Sequence, residues 1–584
     1  MPMRRRTLIQ SAMAGAAIGG FGSRALESEA FARTTQTLPP AAWKPLETLL
    51  GDRLLHVHSP LAACVEASGT GADRLFAELK NPYFLSEDPA LTQTLGWTDA
   101  WTSAASTRAV AAQGPADVAA AVRFAARHRL RLAVKGGGHS YFGNSNAAGS
   151  LLVWTRPMQA IEMHEGFRPK GAPADVAPVP AVSVGTGLRW GEVYRAVSVA
   201  GGRYVQGGGC LTVGVAGFVL GGGFGSFSRQ FGTGAANLLE AEVVTADGRI
   251  RIANAHQEPE LFFALKGGGG GTFGIATRLT LATHPLPATI GAVQFEVEAS
   301  SDSAWAELVA RMLGFYAEQL FNAHWGEQLG FAPGRRMSVA FVWQGLDLAG
   351  IKACWDPFFA FLSGRPNDFR FPEPRIHAAD GRQFWDPAYL RSLPGVVLAD
   401  DRPGASPDNL YWASNRGEAG QIIHAYQSVW LSQRLLAPDR RKTLVQALLD
   451  ASQHWRVTLH TNKGLAGSVP DALARTAGTA TNPNVLDAFA LLICAANGEP
   501  AWAGIPGHEP DRADGLRKAA AVTRAMAPMR AIAGNMGTYV SEADWFADGW
   551  AEAYWGTHLE RLKAARRRYD PGGFFAGHHI VPPA

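Results

Sequence analysis

The sequence predicts an α+β fold in two parts, and three observations carry that prediction. Segments with helical periodicity and segments with strand alternation are mixed without regular βαβ repetition. Glycine, 66 of 584 residues, gathers in a few dense loops that directly follow short strands. Near Pro285 the texture changes, and beyond it stretches rich in Pro, Asp and Trp separate the periodic segments. A chain of 584 residues exceeds a single core and suits two or three domains.

The elements follow in order. Pro115-Ala116-Asp117 opens a helix whose Val118, Ala121, Val122 and Ala125 share one face. Residues 130–134 alternate as a strand that runs into the first glycine loop. Strand patterns recur at 181–184, 203–206, 240–245 and 249–253, the last two joined by an Asp247-Gly248 turn. After Pro285, 290–297 and 337–344 read as strands, and 303–319 and 440–455 as helices. Residues 355–415 show weak periodicity and read as long loops.

Composition narrows the function classes. A hydrophobic content of 47% with 18% charged residues fits a chain with large buried volume. The net charge of +4 is small, and no basic run with interleaved aromatics follows the N-terminus, which argues against nucleic acid as a partner. Arg4-Arg5-Arg6 precedes a short apolar stretch, and Ala30-Phe31-Ala32 gives a small-x-small cleavage pattern. Residues 1–32 therefore resemble a twin-arginine export signal, and the expectation is an exported protein, periplasmic or secreted. No segment reaches 18 uncharged apolar residues, so no stable membrane insertion is expected. The cysteines are Cys64, Cys210, Cys354 and Cys494, without CxxC or Cys/His ligand spacing; no metal site is expected, and His578-His579 reads as structural.

Two loops carry the chemistry. Lys135-Gly136-Gly137-Gly138-His139-Ser140-Tyr141 is the first, and Gly207-Gly208-Gly209-Cys210-Leu211-Thr212-Val213-Gly214 the second. Each places a nucleophilic side chain among backbone donors that can approach a phosphate closely. A literal GxGxxG at Gly269, Gly271 and Gly274 is followed by a strand pattern at 275–280 instead of a helix, which excludes a dinucleotide-binding Rossmann turn there.

These stretches resemble the flavin-linked oxidases of the berberine bridge enzyme type, in the vanillyl-alcohol oxidase superfamily with PCMH-type FAD-binding domains. The matching segments are KGGGHSYFGNS at 135–145, VQGGGCLTVGVAGFVLGGGFGSFSRQFG at 205–232, LFFALKGGGGGTFGI at 261–275, GTYVSEAD at 537–544, YWGTHLERL at 554–562 and RRRYDPGGFF at 566–575. The resemblance, with the leader, implies a bacterial exported member. It further implies an N-terminal extension at 33–84, an FAD-binding domain at 85–285, a substrate domain at 286–535 and a C-terminal segment at 536–584 that returns to the FAD domain.

It implies FAD joined through its 8α carbon to His139 and through C6 to Cys210. Imidazole and thiolate suit that chemistry, because both are good nucleophiles toward an electron-poor ring. Gly136, Gly137, Gly138, Ser140 and Gly143 would approach the pyrophosphate and ribose. Gly209, Thr212, Gly214 and Gly217 would flank the span to the ring, and Gly274 and Ile275 the adenine side. Tyr539 matches a tyrosine that family members use as a base near N5; Lys463 would touch substrate or activate Tyr539. Val213 stands where a small residue leaves a path for oxygen, which favours an oxidase. His324, Trp325 and Glu327 are further pocket candidates, and Glu542 and Asp544 are expected to cap a following helix. The expected reaction is oxidation of a small alcohol-type substrate (a sugar, aromatic alcohol or secondary metabolite), with molecular oxygen giving peroxide. Dehydrogenase activity with another acceptor, a non-catalytic flavin- or sugar-binding role, and a reductase of the cell-wall-precursor type stay open.

Overall fold

The computed structural model describes residues 38–583; the expected leader lies outside them. Three sheets organise the chain. The first holds four strands in the order Leu54–His56, Arg108–Ala111, Leu151–Trp154, Leu132–Lys135, the last three mutually parallel. Its cover helix, Pro115–His128, begins with Pro at the first turn and Asp117 near the N-terminal dipole. Val118, Ala121, Val122 and Ala125 are all buried, as their spacing predicts.

The second sheet runs Ile250–Asn254, Leu238–Val244, Ile275–Pro285, Val179–Gly185, Ile161–Phe167, with Arg203–Val205 paired to the far end of Ile275–Pro285. Ile275–Pro285 is a strand throughout, so Gly269–Gly274 feeds a strand and not a helix.

The third sheet has ten strands. Its central order is Thr289–Ala299, Arg336–Gln344, Trp325–Ala332, Val457–His460, Ala488–Gly498, Gln421–Ser432. Helices Asp302–Phe315, Leu348–Ser363, Pro438–His454 and Arg512–Ala533 pack on it, joining its apolar side chains in one core that includes Trp355, Phe358 and Leu448. The opposite face looks toward the first two sheets.

The structure departs from sequence expectation in three places. Residues 355–415 are not all loop: Leu348–Ser363 is a helix, and Arg375–Asp380 is a strand on Thr289–Ala299. Pro357 lies inside this helix and breaks its sequence signal. Strands Thr94–Trp97 and Trp101–Thr102 lie early in the chain yet join the third sheet beside Gln421–Ser432, a long-range pairing with no local signal. Glu542 and Asp544 cap no adjoining helix, since the next begins at Trp550; Glu542 pairs with Lys463, while Asp544 accepts from the Phe546 amide and the Gln427 side chain.

The C-terminal helix Leu559–Tyr569 returns to the glycine-rich region. Arg561 pairs with Glu260, the Trp555 indole donates to the Gly267 carbonyl, and Asn144 exchanges two hydrogen bonds with the His578 backbone. His578 stacks on Trp545 at 3.4 Å between ring centroids, and His579 accepts from or donates to the Tyr554 hydroxyl at 2.9 Å. Among the described residues no helix is long and apolar enough to cross a membrane.

Candidate active site

The first glycine loop leaves strand Leu132–Lys135, and Lys135 holds its base. The buried ammonium donates to the carbonyls of Asp88 and Leu91, at 2.7 and 2.8 Å, and burial lowers its pKa to about 7. The second loop leaves Arg203–Val205. The two loops abut backbone to backbone: a Cβ on Gly137 would lie 2.7 Å from the Gly214 nitrogen, and one on Gly214 equally close to the Gly137 nitrogen. Only glycine permits that approach.

Thr212 sits between the loops and touches both nucleophiles. The His139 Nε2 lies 3.1 Å from the Thr212 carbonyl. A carbonyl only accepts, so Nε2 carries the proton and Nδ1 keeps its lone pair. Burial, with the nearby Arg189 cation, lowers the imidazole pKa to about 4, so the ring is neutral at physiological pH. The Cys210 Sγ lies 3.3 Å from the Thr212 hydroxyl. Burial, helped by the Glu418 carboxylate, raises this thiol's pKa to about 11. The thiolate expected from the sequence is thus a neutral thiol, because the cleft desolvates it beside the Glu418 carboxylate.

Both nucleophiles line one cavity of about 1280 Å3 between the glycine loops and the open face of the third sheet. Of the expected site residues, Gly136, Gly137, Gly138, Ser140, Gly209, Val213, Gly214, Gly217, Gly274, Ile275, Lys463 and Tyr539 line it as well. Thr212 does not, acting from behind through the contacts above. Gly143 does not either; at φ +69° it packs on the Trp101 ring, where a Cβ would come within 2.7 Å.

The cavity suits a large polar cofactor. Gly217, Gly270 and Gly271 line it with nothing within 4 Å of an added Cβ, which leaves an open backbone cradle. Among the described residues, Thr186 Oγ1, His460 Nδ1 and Asn462 Oδ1 are buried at this cavity and have no partner in the protein. Such atoms are normally satisfied, and a ligand here would meet them.

The sheet forms the other wall. Cross-strand register aligns Arg375, Gln294, Ala340, Gln328 and His460 in a single row, with His377, Ala292 and Val342 beside it. His377 Nε2 and the Tyr389 hydroxyl are 2.7 Å apart. Phe384, Trp385 and Trp412 close the side, and the Trp412 indole donates to the Gly209 carbonyl at 2.6 Å. None of this row was named from the sequence. The alternation in 289–299 marks Gln294 as facing away from the core, but only the register shows which strands share its row.

Tyr539 is not poised as expected. Its hydroxyl accepts from the Gly223 amide at 3.3 Å, and burial and the Glu542 carboxylate hold its pKa above the ordinary phenol value. Lys463 does not serve it: the ammonium contacts both Glu542 oxygens, at 2.5 and 2.6 Å. His324 bonds the Gln344 carbonyl, and Trp325 is buried in the helix-side core, so neither faces the cavity; Glu327 does.

Comparison with known proteins agrees with this layout. Residues 107–254 match the FAD binding domain family model, and 538–582 the berberine and berberine-like model. An uncharacterized FAD-linked oxidoreductase of Arthroderma benhamiae is 27% identical over 480 residues, covering 81% of this chain and 76% of that protein. Other fungal FAD-linked oxidoreductases match at higher identity, but over only about a third of their length. These relatives are fungal and lend no support to a bacterial source. A VAO-type flavoprotein of Myceliophthora thermophila superposes with a TM-score of 0.74 at 21% identity, covering 94% of this chain and 96% of its own. The glucooligosaccharide oxidase of Acremonium strictum, which carries 6-S-cysteinyl, 8α-N1-histidyl FAD, superposes at 0.60 with 20% identity, over 82% of this chain and 92% of its own. The matched cofactor and C-terminal models bracket the cavity from its two sequence ends, and the chain shares the fold of the VAO-type flavoproteins.

Proposed function

We propose that this enzyme oxidises the CH–OH group of a small molecule, with FAD held covalently by His139 and Cys210 and with molecular oxygen as the final acceptor. One observation carries the reading: two nucleophiles line a single cavity, both in contact with Thr212, and the histidine keeps Nδ1 unprotonated, with the lone pair that a bond to the 8α carbon requires. FAD, when bound, supplies the two-electron acceptor. The glycine loops bind its phosphates through backbone N–H groups. The sheet row and the aromatic side hold the substrate over the ring and exclude water. Tyr539, as a neutral phenol, orients the substrate hydroxyl by hydrogen bonding.

Acid precipitation of purified protein tests the attachment. A yellow pellet with both flavin bonds mapped by peptide mass spectrometry is expected; flavin entirely in the supernatant defeats it. A dehydrogenase would reduce dyes but consume little oxygen under the same alcohol. A non-catalytic binder would hold flavin that no alcohol reduces. Export through the N-terminal leader is part of the proposal, tested by fractionating cells that express the full chain and a variant with Arg4 and Arg5 replaced by Lys.

A further inference from the structure

Strand Trp325–Ala332 breaks its own alternation at one residue. Trp325, Leu329 and Phe331 point to the helix-side core. Glu327 has the same parity and is paired across the strand with Phe341, which is fully buried on that side. By the period of two, its carboxylate should enter that core. It does not: the backbone at Glu327 is left-handed, φ +77°, and the side chain emerges in the cavity next to Gln328. A non-glycine residue in that region costs on the order of 1–3 kcal/mol, and such strain persists where the surroundings enforce it.

The enforcement comes from both halves of the molecule. Gly326 leaves no room for a Cβ against the Ser226 carbonyl, so the strand presses directly on the glycine-rich segment of the cofactor side. Ser226 donates its hydroxyl to Glu327 Oε1, and Asn462 donates to the same oxygen at 3.4 Å and to the Gly225 carbonyl at 3.3 Å. The Thr461 hydroxyl pins the Glu327 carbonyl at 2.9 Å. Oε1 lies only 3.5 Å from where a Gly209 Cβ would be, so the carboxylate overhangs the residue before Cys210.

From this geometry we infer that Glu327 is the proton acceptor of the reaction. The inference rests on the alcohol-oxidation reading and on Cys210 bonding flavin C6, because C6 neighbours the hydride-accepting N5. With FAD bound as the two-electron acceptor, the substrate's C–H bond would break with its electron pair, which leaves as hydride to the flavin. The O–H bond breaks, its proton passes to Glu327, and its electrons complete the C=O bond. With FAD bound, oxygen would take back the two electrons with the hydrogen carried by the hydride and the proton held by Glu327, giving peroxide and returning Glu327 to its carboxylate. Burial raises the Glu327 pKa above the usual carboxylate value, as suits a base working near neutral pH. The competing cation, Lys463, is already paired with Glu542.

Glu327→Gln in the flavin-loaded enzyme tests this with two readouts. Sulfite, an anion that adds to N5, should bind at least about tenfold more tightly once the neighbouring negative charge is gone. Anaerobic flavin reduction, by whichever alcohol in a panel of sugars and aromatic alcohols reduces the wild type, should slow by about 10² to 10⁴-fold, with partial rescue in Glu327→Asp. Reduction within about threefold of wild type, or unchanged sulfite affinity, overturns the assignment and leaves the alcohol-oxidase reading standing. A wild-type enzyme that no alcohol reduces overturns both.

Discussion

The two walls of the cavity are built from different material. The cofactor wall is rich in backbone: Gly136–Gly138, Gly207–Gly209 and Gly269–Gly271 line it, and its two nucleophiles, His139 and Cys210, are both contacted from behind by Thr212. The substrate wall is side chains from five paired strands and the loops that follow them, with Arg375, Gln294, Ala340, Gln328 and His460 brought into one row by register. Where its loops abut, at Gly137 and Gly214, the backbone wall tolerates no added atoms, and it recognises what every FAD shares. A side-chain wall can change residue by residue, and so can set specificity without disturbing the fold.

That contrast can be broken most severely at Gly137. In Gly137→Val the new side chain meets the Gly214 backbone, and the purified protein is expected to lose nearly all flavin absorbance near 450 nm. Gly270→Ala, with open space at its Cβ, should keep it. Equal flavin content in the two variants would contradict a wall set by close backbone approach.

Removing the nucleophiles comes next. The His139→Ala/Cys210→Ala double variant should release its flavin to the supernatant on acid precipitation, whereas each single variant keeps a coloured pellet through the remaining bond. A single variant that releases all its flavin would assign the whole linkage to one residue.

On the substrate side, Tyr539→Phe is expected to slow anaerobic reduction by less than about tenfold, the effect of one lost hydrogen bond. A loss of 10²-fold or more would return the tyrosine to the role of base.

The cofactor region also carries a pH signature. Burial pushes the Glu192 pKa up, but Arg189 and Arg156 outweigh it and hold the carboxyl at about 2. Its folded pKa lies below the unfolded value, so this stabilisation is present above about pH 4.5 and is lost as pH falls toward 2. Glu192→Gln should lower the melting temperature near neutrality and flatten its decline below pH 4.5. Parallel curves for the two proteins would show that the pair does not couple to folding.

The smallest effect is expected at Val213, which lines the cavity beside Cys210. Val213→Leu should slow reoxidation by oxygen in stopped flow and leave reduction by substrate unchanged. Equal reoxidation rates would remove the argument for an oxygen path at this residue.

The helix after Pro115, the strand before His139 and the strand after Gly274 were legible because each is set by local pattern and short-range sterics. The glycine loops holding His139 and Cys210 were legible for the same reason, since contiguous glycine runs announce where backbone must come close; the role of the two residues came from the resemblance of those loops to a known family. The loop reading of 355–415 failed because Pro357, a helix breaker by its sequence, lies inside Leu348–Ser363, while Arg375–Asp380 depends on a partner strand more than 70 residues earlier in the chain. Lys463 was placed correctly at the cavity but given the wrong neighbour, since an ion pair with Glu542 spans 79 positions.

By itself, then, the sequence determined the α+β class and the close-packed glycine loops, which follow from periodicity and the steric privilege of glycine, while its motifs, by their resemblance to a known family, implied the flavin and the two candidate anchors. Only the tertiary structure decided which proton sits on His139, that the Cys210 thiol is neutral, and that Glu327 turns against its strand's alternation into the cavity. Tautomer, desolvation and strain depend on what residues distant in the chain bring within a few ångströms, and no local pattern encodes that.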